Sequence, residues 1–271
     1  MKIIDLLKKD TLSLSFEVFP PKTETSFESV KTATEEIAKL NPAFMSVTYG
    51  AGGGTSKYTL EIAKNIKKMY NVPTLAHLTC VSSTKETVRE RIADIKNAGI
   101  ENVMALRGDI PEELINADRS KWDYNYAIDL IKELKEINPD FCIGGACYPE
   151  IHPESTNQKD DIKRLKEKVD AGASYLVTQI FFDNSYYYRL VKEARKRGIN
   201  VPILAGIMPI TNSKSLLYTA KMCGCSIPYQ LSTMIESYYK HPEAMKEIGG
   251  YFELELCKGK LSCESTYTIA S

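Results

Sequence analysis

Short apolar runs alternate along this chain with longer stretches whose apolar residues return at helical spacing. The runs predict strands over residues 13–19, 44–48, 74–80, 102–106, 142–147, 175–179 and 203–206. The longer stretches predict helices over 27–40, 57–70, 85–98, 124–137, 160–171, 185–197 and 213–221. Punctuation agrees with the periodicity: Thr84 stands where a helix needs a capping hydroxyl, and Gly99 and Gly198 stand where helix ends need a left-handed residue. Strict strand–helix alternation implies right-handed crossovers and a parallel sheet. Seven units are legible. The tail, 250–271, diverges from the pattern and leaves the last strand and helix atypical or truncated, with 266–269 as the candidate for an eighth strand.

A doubly wound sheet would place a phosphate-binding glycine motif after the first strand. Here that strand runs into Phe19-Pro20-Pro21. The glycine-rich run Gly50-Ala51-Gly52-Gly53-Gly54 follows the second strand instead and matches neither G-x-G-x-x-G nor a P-loop. The expected fold is therefore α/β, a single (β/α)8 barrel over residues 1–271 with no linker or low-complexity tract inside it.

Barrel enzymes carry their chemistry at the carboxyl ends of the strands. Those ends hold Glu17, Thr48, His77, Arg107-Gly108-Asp109, Tyr148 and Gln179. Strand parity sharpens the first: Leu14, Phe16 and Val18 share one face, and Ser13, Ser15 and Glu17 the other. With the apolar face against helices, Glu17 points into the barrel mouth above two small residues; a solvated strand-end carboxylate is the competing reading. Asp109 opens a loop at that face and is equally a turn residue. His77 reads as a neutral binding residue, since no second His or Cys stands at metal spacing, and no metal is expected. Gln179, read as lying inside an apolar strand, is either a bidentate amide for a heterocycle or a satisfied core amide.

Composition narrows the class. The 271 residues are 43% hydrophobic and 26% charged, with Lys plus Arg balanced against Asp plus Glu at 35 each. That balance does not suit a duplex-binding protein, and no nucleic-acid partner is expected. No apolar run reaches membrane-spanning length, and the acid at Asp5 interrupts anything resembling a signal peptide, so a cytoplasmic protein is expected. Seven cysteines without a C-x-x-C pair read as reduced thiols; Cys223 and Cys225 could ligate a metal, but a pair of reduced structural thiols is the favoured reading.

Eight strings in order resemble the methylenetetrahydrofolate reductase family: Ser15-Phe16-Glu17-Val18-Phe19-Pro20-Pro21, Ser46-Val47-Thr48-Tyr49-Gly50-Ala51, His77-Leu78-Thr79-Cys80, Ala105-Leu106-Arg107-Gly108-Asp109, Tyr148-Pro149-Glu150-Ile151-His152-Pro153-Glu154, Lys166-Glu167-Lys168-Val169-Asp170-Ala171-Gly172-Ala173, Thr178-Gln179-Ile180-Phe181-Phe182-Asp183 and Gly206-Ile207-Met208-Pro209-Ile210. The match runs from about residue 12 to about residue 250. The resemblance implies a barrel with non-covalent FAD that accepts hydride from a donor and reduces 5,10-methylenetetrahydrofolate to 5-methyltetrahydrofolate in ping-pong order. The donor is NADH, NADPH or an iron–sulfur partner subunit, and a homo-oligomer is expected. It also implies that Thr48, His77, Arg107, Gly108, Asp109, Ala146, Tyr148, His152, Asp161 and Lys168 contact the flavin. By the same resemblance Glu17, Asp109 and Gln179 serve the folate, with Glu17 as general acid and Asp109 beside the cationic iminium. Arg107 and Lys168 suit a pyrophosphate. The family's last strand reads roughly His-Phe-Tyr-Thr-Leu-Asn before a final helix; here Thr266-Tyr267-Thr268-Ile269 stands as a degenerate version, which puts barrel closure in question. A non-catalytic flavin- or folate-binding subunit is the alternative.

Overall fold

The computed structural model describes residues 1–7, 13–21, 27–49, 56–260 and 266–270. The glycine-rich run at 50–54 lies outside them. Eight parallel strands close into a barrel in chain order: β1 (Ser13–Val18), β2 (Phe44–Val47), β3 (Thr74–Thr79), β4 (Asn102–Leu106), β5 (Cys142–Cys147), β6 (Ala173–Thr178), β7 (Ile203–Ile207) and β8 (Thr266–Ala270). The short α1 (Ile3–Leu6) precedes β1, and α2 (Phe27–Ala38), α3 (Ser56–Tyr70), α4 (Lys85–Asn97), α5 (Ala127–Ile137), α6 (Gln158–Asp170), α7 (Asn184–Lys196) and α8 (Ser213–Cys223) follow the strands in turn. Two more helices, α9 (Tyr229–Tyr238) and α10 (Pro242–Lys260), stand between α8 and β8.

Four of the helices that start above the barrel mouth are held by a short polar side chain at the N-cap. Thr84 accepts the Thr87 N–H at 3.2 Å, Asn157 that of Asp160 at 3.0 Å, Asp183 that of Ser185 at 2.8 Å and Asn212 that of Ser215 at 2.8 Å. The helix expected from residue 124 begins instead at Ala127. The Asp129 carboxylate accepts both the Asn125 and Tyr126 N–H groups at 3.0 Å, which caps the helix there and leaves Tyr126 with extended backbone. All six residues of β3 are buried, as a parallel strand covered by helices on one face and side chains on the other requires.

The lower half of the barrel is an apolar plug. Ile3 from α1 packs with Phe44, Leu75, Met104, Cys142, Tyr175 and Leu204. Asn102 fixes this plug: its Oδ1 accepts the Ile3 N–H at 2.8 Å, while its Nδ2 donates to Thr74 O at 3.1 Å and to Met1 O at 3.2 Å. Gly144 is required beside it. A Cβ there would lie 2.8 Å from the Tyr175 ring and 2.9 Å from the Met104 sulfur.

The eighth strand, the doubtful element of the sequence, closes the sheet. It pairs with β1 from Ser13 opposite Thr266 to Glu17 opposite Ala270, and with β7 from Ala205 opposite Tyr267 to Ile207 opposite Ile269. No helix among the described residues is long and apolar enough to cross a membrane. Removing residues 262–271 should expose unpaired edges on β1 and β7 and lower the thermal midpoint by about 10 °C or more, or cause aggregation. A shortened chain that stays monodisperse and melts at the same temperature would show that β8 adds nothing to closure.

Candidate active site

A cavity of about 490 Å³ opens at the carboxyl ends of the strands. It gathers all the residues singled out in the sequence: Glu17 from β1, Thr48 after β2, His77 from β3, Arg107, Gly108 and Asp109 after β4, Ala146 and Tyr148 around the end of β5, His152 in the following loop, Asp161 and Lys168 from α6, and Gln179 after β6. A second cavity of about 440 Å³, beside α3, α4 and β3, shares only Tyr49 and His77 with it.

Glu17 points inward as parity requires. Ser13 and Ser15 on its face are buried, and its carboxylate meets the neighbouring strands. Ser46 Oγ donates to Glu17 Oε2 at 3.3 Å, and His77 Nε2 lies 3.4 Å from the same oxygen. Leu14, expected beneath a helix, is 37% exposed. Burial holds the His77 imidazole below its ordinary pKa, and the charge of Glu17 opposes this only in part, so His77 is neutral at physiological pH.

The opposite wall carries the cations. Lys168 Nζ donates to Ala146 O at 2.6 Å. Its pKa is lowered by burial, against the raising effects of Cys147 and Asp161. The Cys147 thiol is itself pushed up to about 12 by burial and stays protonated. Arg107 Nη1 donates to Glu154 at 2.7 Å, and Arg119 Nη1 stands 3.5 Å from the other oxygen of that carboxylate. The Glu154 N–H donates to His152 Nδ1 at 3.0 Å, which places the imidazole proton on Nε2. Asp161 accepts the His152 N–H and the Ser155 hydroxyl, both at 3.2 Å, and so anchors the loop between β5 and α6. Tyr148 meets the His152 ring edge-on at 4.6 Å between centroids, and burial raises its phenol to about 12.

Asp109 is exposed at the rim, close enough to Tyr148 and Cys223 to raise both their pKa values. Gly108 beside it has φ +89°, and a Cβ would come within 3.0 Å of Thr79 and Val81, so the turn that presents Asp109 needs glycine. Gln179 lies one residue beyond β6 rather than inside it. It is half-buried, with its N–H on Cys147 O at 2.7 Å and its Oε1 accepting the Ile180 N–H at 2.9 Å, and it belongs to the cavity lining. Sequence reasoning missed Arg164, Glu167 and Tyr126, which also line the cavity. The Arg164 guanidinium stands 5.5 Å from the centre of the Tyr126 ring.

The donor set fits a group with a phosphate-bearing arm and a planar polar head. Two cations and the His152 Nε2–H supply the first, and the cluster around Glu17 and His77 faces the second.

A family model described as methylenetetrahydrofolate reductase matches residues 2–269. Among curated proteins, the chain is 37% identical over 272 residues to methylenetetrahydrofolate reductase (NADH) 1 of Arabidopsis thaliana, covering 95% of this chain and 46% of that protein. It is 38% identical over 247 residues to 5,10-methylenetetrahydrofolate reductase of Pectobacterium carotovorum, covering 91% and 80%. The chain thus spans about half the length of the plant relatives and most of the bacterial one. Among solved structures, a Clostridium thermocellum protein that binds two copies of 5-methyl-5,6,7,8-tetrahydrofolic acid shares the fold at a TM-score of 0.68, with 17% identity and coverage of 98% of this chain and 90% of that one.

The buried ammonium of Lys168 allows a test of whether this wall takes the phosphates of a ligand such as FAD. Lys168→Met keeps the length and removes the charge, and should raise the Kd of FAD and of ADP by about 10–100-fold, as expected for a hydrogen bond to a charged group. Riboflavin, which has no phosphate, should bind both forms alike. Unchanged ADP and FAD affinities would reduce Lys168 to a cap on Ala146.

Proposed function

Because this chain belongs to the methylenetetrahydrofolate reductase family, we propose that it is an FAD-dependent oxidoreductase that reduces 5,10-methylenetetrahydrofolate to 5-methyltetrahydrofolate. NADH, NADPH or a reduced iron–sulfur partner serves as donor, in ping-pong order at one site. The observation that carries this reading is convergence: residues from six strand ends and one helix, spread from Glu17 to Gln179, line one cavity whose two walls differ in chemistry.

Arg107, Lys168 and His152 would hold FAD by its phosphates, and Thr48 and His77 would face its ring. Bound there, the flavin supplies a two-electron carrier that takes hydride from one substrate and gives it to the next. The rest falls to the chain. The methylene bridge of the folate joins two nitrogens in a five-membered ring and becomes a good hydride acceptor only when one C–N bond breaks. The electron pair of that bond goes to the departing nitrogen, which needs a proton, and the carbon becomes a cationic iminium. Glu17 is the proton donor at the barrel mouth, Asp109 supplies a negative charge to the cation, and Gln179 orients the pterin by its amide.

Colour is the first experiment. The purified protein should bind FAD and turn yellow, bleach anaerobically with one of the donors, and recover its colour on addition of methylenetetrahydrofolate. A preparation that takes up no FAD, or whose reduced flavin ignores the folate, contradicts the proposal. Glu17→Gln keeps the shape and removes the transferable proton. Flavin reduction should then run at near wild-type rate, while reoxidation by the folate falls by about 10²–10⁴-fold. Equal slowing of both half-reactions would mean that Glu17 supports the fold or the flavin.

Asp109→Asn removes a carboxylate that opposes accumulation of negative charge on reduced flavin. The midpoint potential should rise and folate reduction should slow. Unchanged potential together with unchanged folate kinetics would leave Asp109 a turn residue.

A further inference from the structure

Glu17 does not stand alone in the barrel mouth. One of its oxygens, Oε2, is met from two successive strands: by Ser46 Oγ from β2 at 3.3 Å and by His77 Nε2 from β3 at 3.4 Å. The register makes this contact unavoidable, since Glu17 pairs with Ser46 across β1 and β2, and β3 carries His77 two residues beyond Leu75, the partner of Ser46. Ser46 is 1% exposed and His77 8%, so both meet Glu17 from inside the wall rather than from solvent. We propose that His77 is a positioning residue for Glu17: with Ser46 it holds the carboxyl group and stabilises by hydrogen bonding the negative charge that develops on Oε2 as Glu17 gives up its proton. This rests on the reading of Glu17 as the acid of the folate half-reaction and assigns His77 a task beyond contact with a cofactor.

The chemistry is balanced. As the ring C–N bond breaks, its electron pair remains on the departing nitrogen, and the proton of the Glu17 carboxyl passes to that nitrogen. The carboxylate left behind then accepts hydrogen bonds from Ser46 O–H and His77 Nε2–H. Donors fixed in place before the step stabilise the developing charge without having to reorganise. A neutral imidazole suits the task, because a cationic one would hold Glu17 ionised and empty of its proton. Burial keeps His77 neutral. Contacts of this length are common before substrate binds and shorten in the reacting complex.

His77→Gln retains an N–H at about the position of Nε2, and His77→Leu removes it. With FAD saturating and its Kd measured for each protein, His77→Leu should slow reoxidation by methylenetetrahydrofolate at least tenfold more than it slows flavin reduction by the donor; His77→Gln should restore most of the difference. Ser46→Ala, which touches no cofactor candidate, should slow the same half-reaction, and it keeps the test open if His77→Leu fails to fold. Combining His77→Leu or Ser46→Ala with Glu17→Gln should add no further loss, since both act through one proton. A readout free of turnover comes from the imidazole nitrogens. The chain has three histidines. In a two-dimensional ¹H–¹⁵N spectrum of the full chain, Glu17→Gln should shift the His77 Nε2 resonance and leave His152 and His241 in place. Additive losses in the double variants, equal slowing of both half-reactions, or a His77 resonance blind to Glu17 would each overturn the inference. Wild-type reduced flavin that methylenetetrahydrofolate cannot reoxidise would instead overturn the functional reading beneath it.

Discussion

The register between β1 and its two neighbours is the constraint on which the site depends. In a parallel sheet closed on itself, each side chain of a strand points either to the helices or to the barrel interior, and a slip of one residue exchanges the two sets. On β1 the outward Phe16 and Val18 are 9% and 5% exposed, and burial of such side chains is worth about 1.5–3 kcal/mol each. The same slip would push these residues into the polar mouth and drive the Glu17 carboxylate beneath the helices, where an unpaired charge costs far more. Apolar packing outside the barrel thus decides where the carboxylate points inside it. Pairing on both edges of β1, with Ser46 on one side and Ala270 opposite Glu17 on the other, leaves no alternative register open.

Stability and chemistry are divided along the barrel axis. Below, Ile3, Phe44, Leu75, Tyr175 and Leu204 form a plug whose only demands are volume and apolarity, apart from the Asn102 amide that ties α1 to the strand ends. Above, Glu17, His77 and Arg107 stand on strand ends over the plug, and Lys168 reaches in from α6. Met104 belongs to both, as a member of the plug and as part of the cavity floor. Gly144 serves this boundary by yielding its side-chain volume to Tyr175 and Met104. A rigid floor under polar groups is what fixes their distances to within the tolerance that chemistry needs.

Much of this was legible in the residues because strands, caps and strand ends carry local signals. Seven strands announced themselves by apolar runs, and the inward direction of Glu17 followed from alternation alone. The eighth strand did not, because Thr266–Ala270 is weakly apolar, and its place is set by the edges of β1 and β7 that await it. The plug by α1 was illegible for a similar reason: Ile3 has meaning only once the strand ends that surround it exist. Arg164 was within reach, since it stands three residues after Asp161 and four before Lys168 and therefore shares their helix face. The partnership of Tyr126 with Arg164 was out of reach, because it joins the residue before α5 to α6, which meet only in the folded barrel.

The charges at the mouth are arranged so that a ligand meets groups already fixed. Burial works against the charge of Glu154, yet the hydrogen bond and charge of Arg107, with Arg119 behind it, outweigh burial and hold that carboxyl below its ordinary pKa. One carboxylate therefore faces two guanidinium groups, and the trio keeps a net positive charge. Lys168 stands apart from it on a neutral carbonyl, with Cys147 protonated beneath. An anionic arm entering the cavity need not order these cations, since hydrogen bonds within the protein have already aimed them. Most of the conformational cost of holding long cationic side chains is then met in folding rather than in binding. The opposite wall follows the same logic: Ser46 Oγ donates to Glu17 Oε2 and His77 Nε2 stands 3.4 Å from the same oxygen, both from buried positions on neighbouring strands.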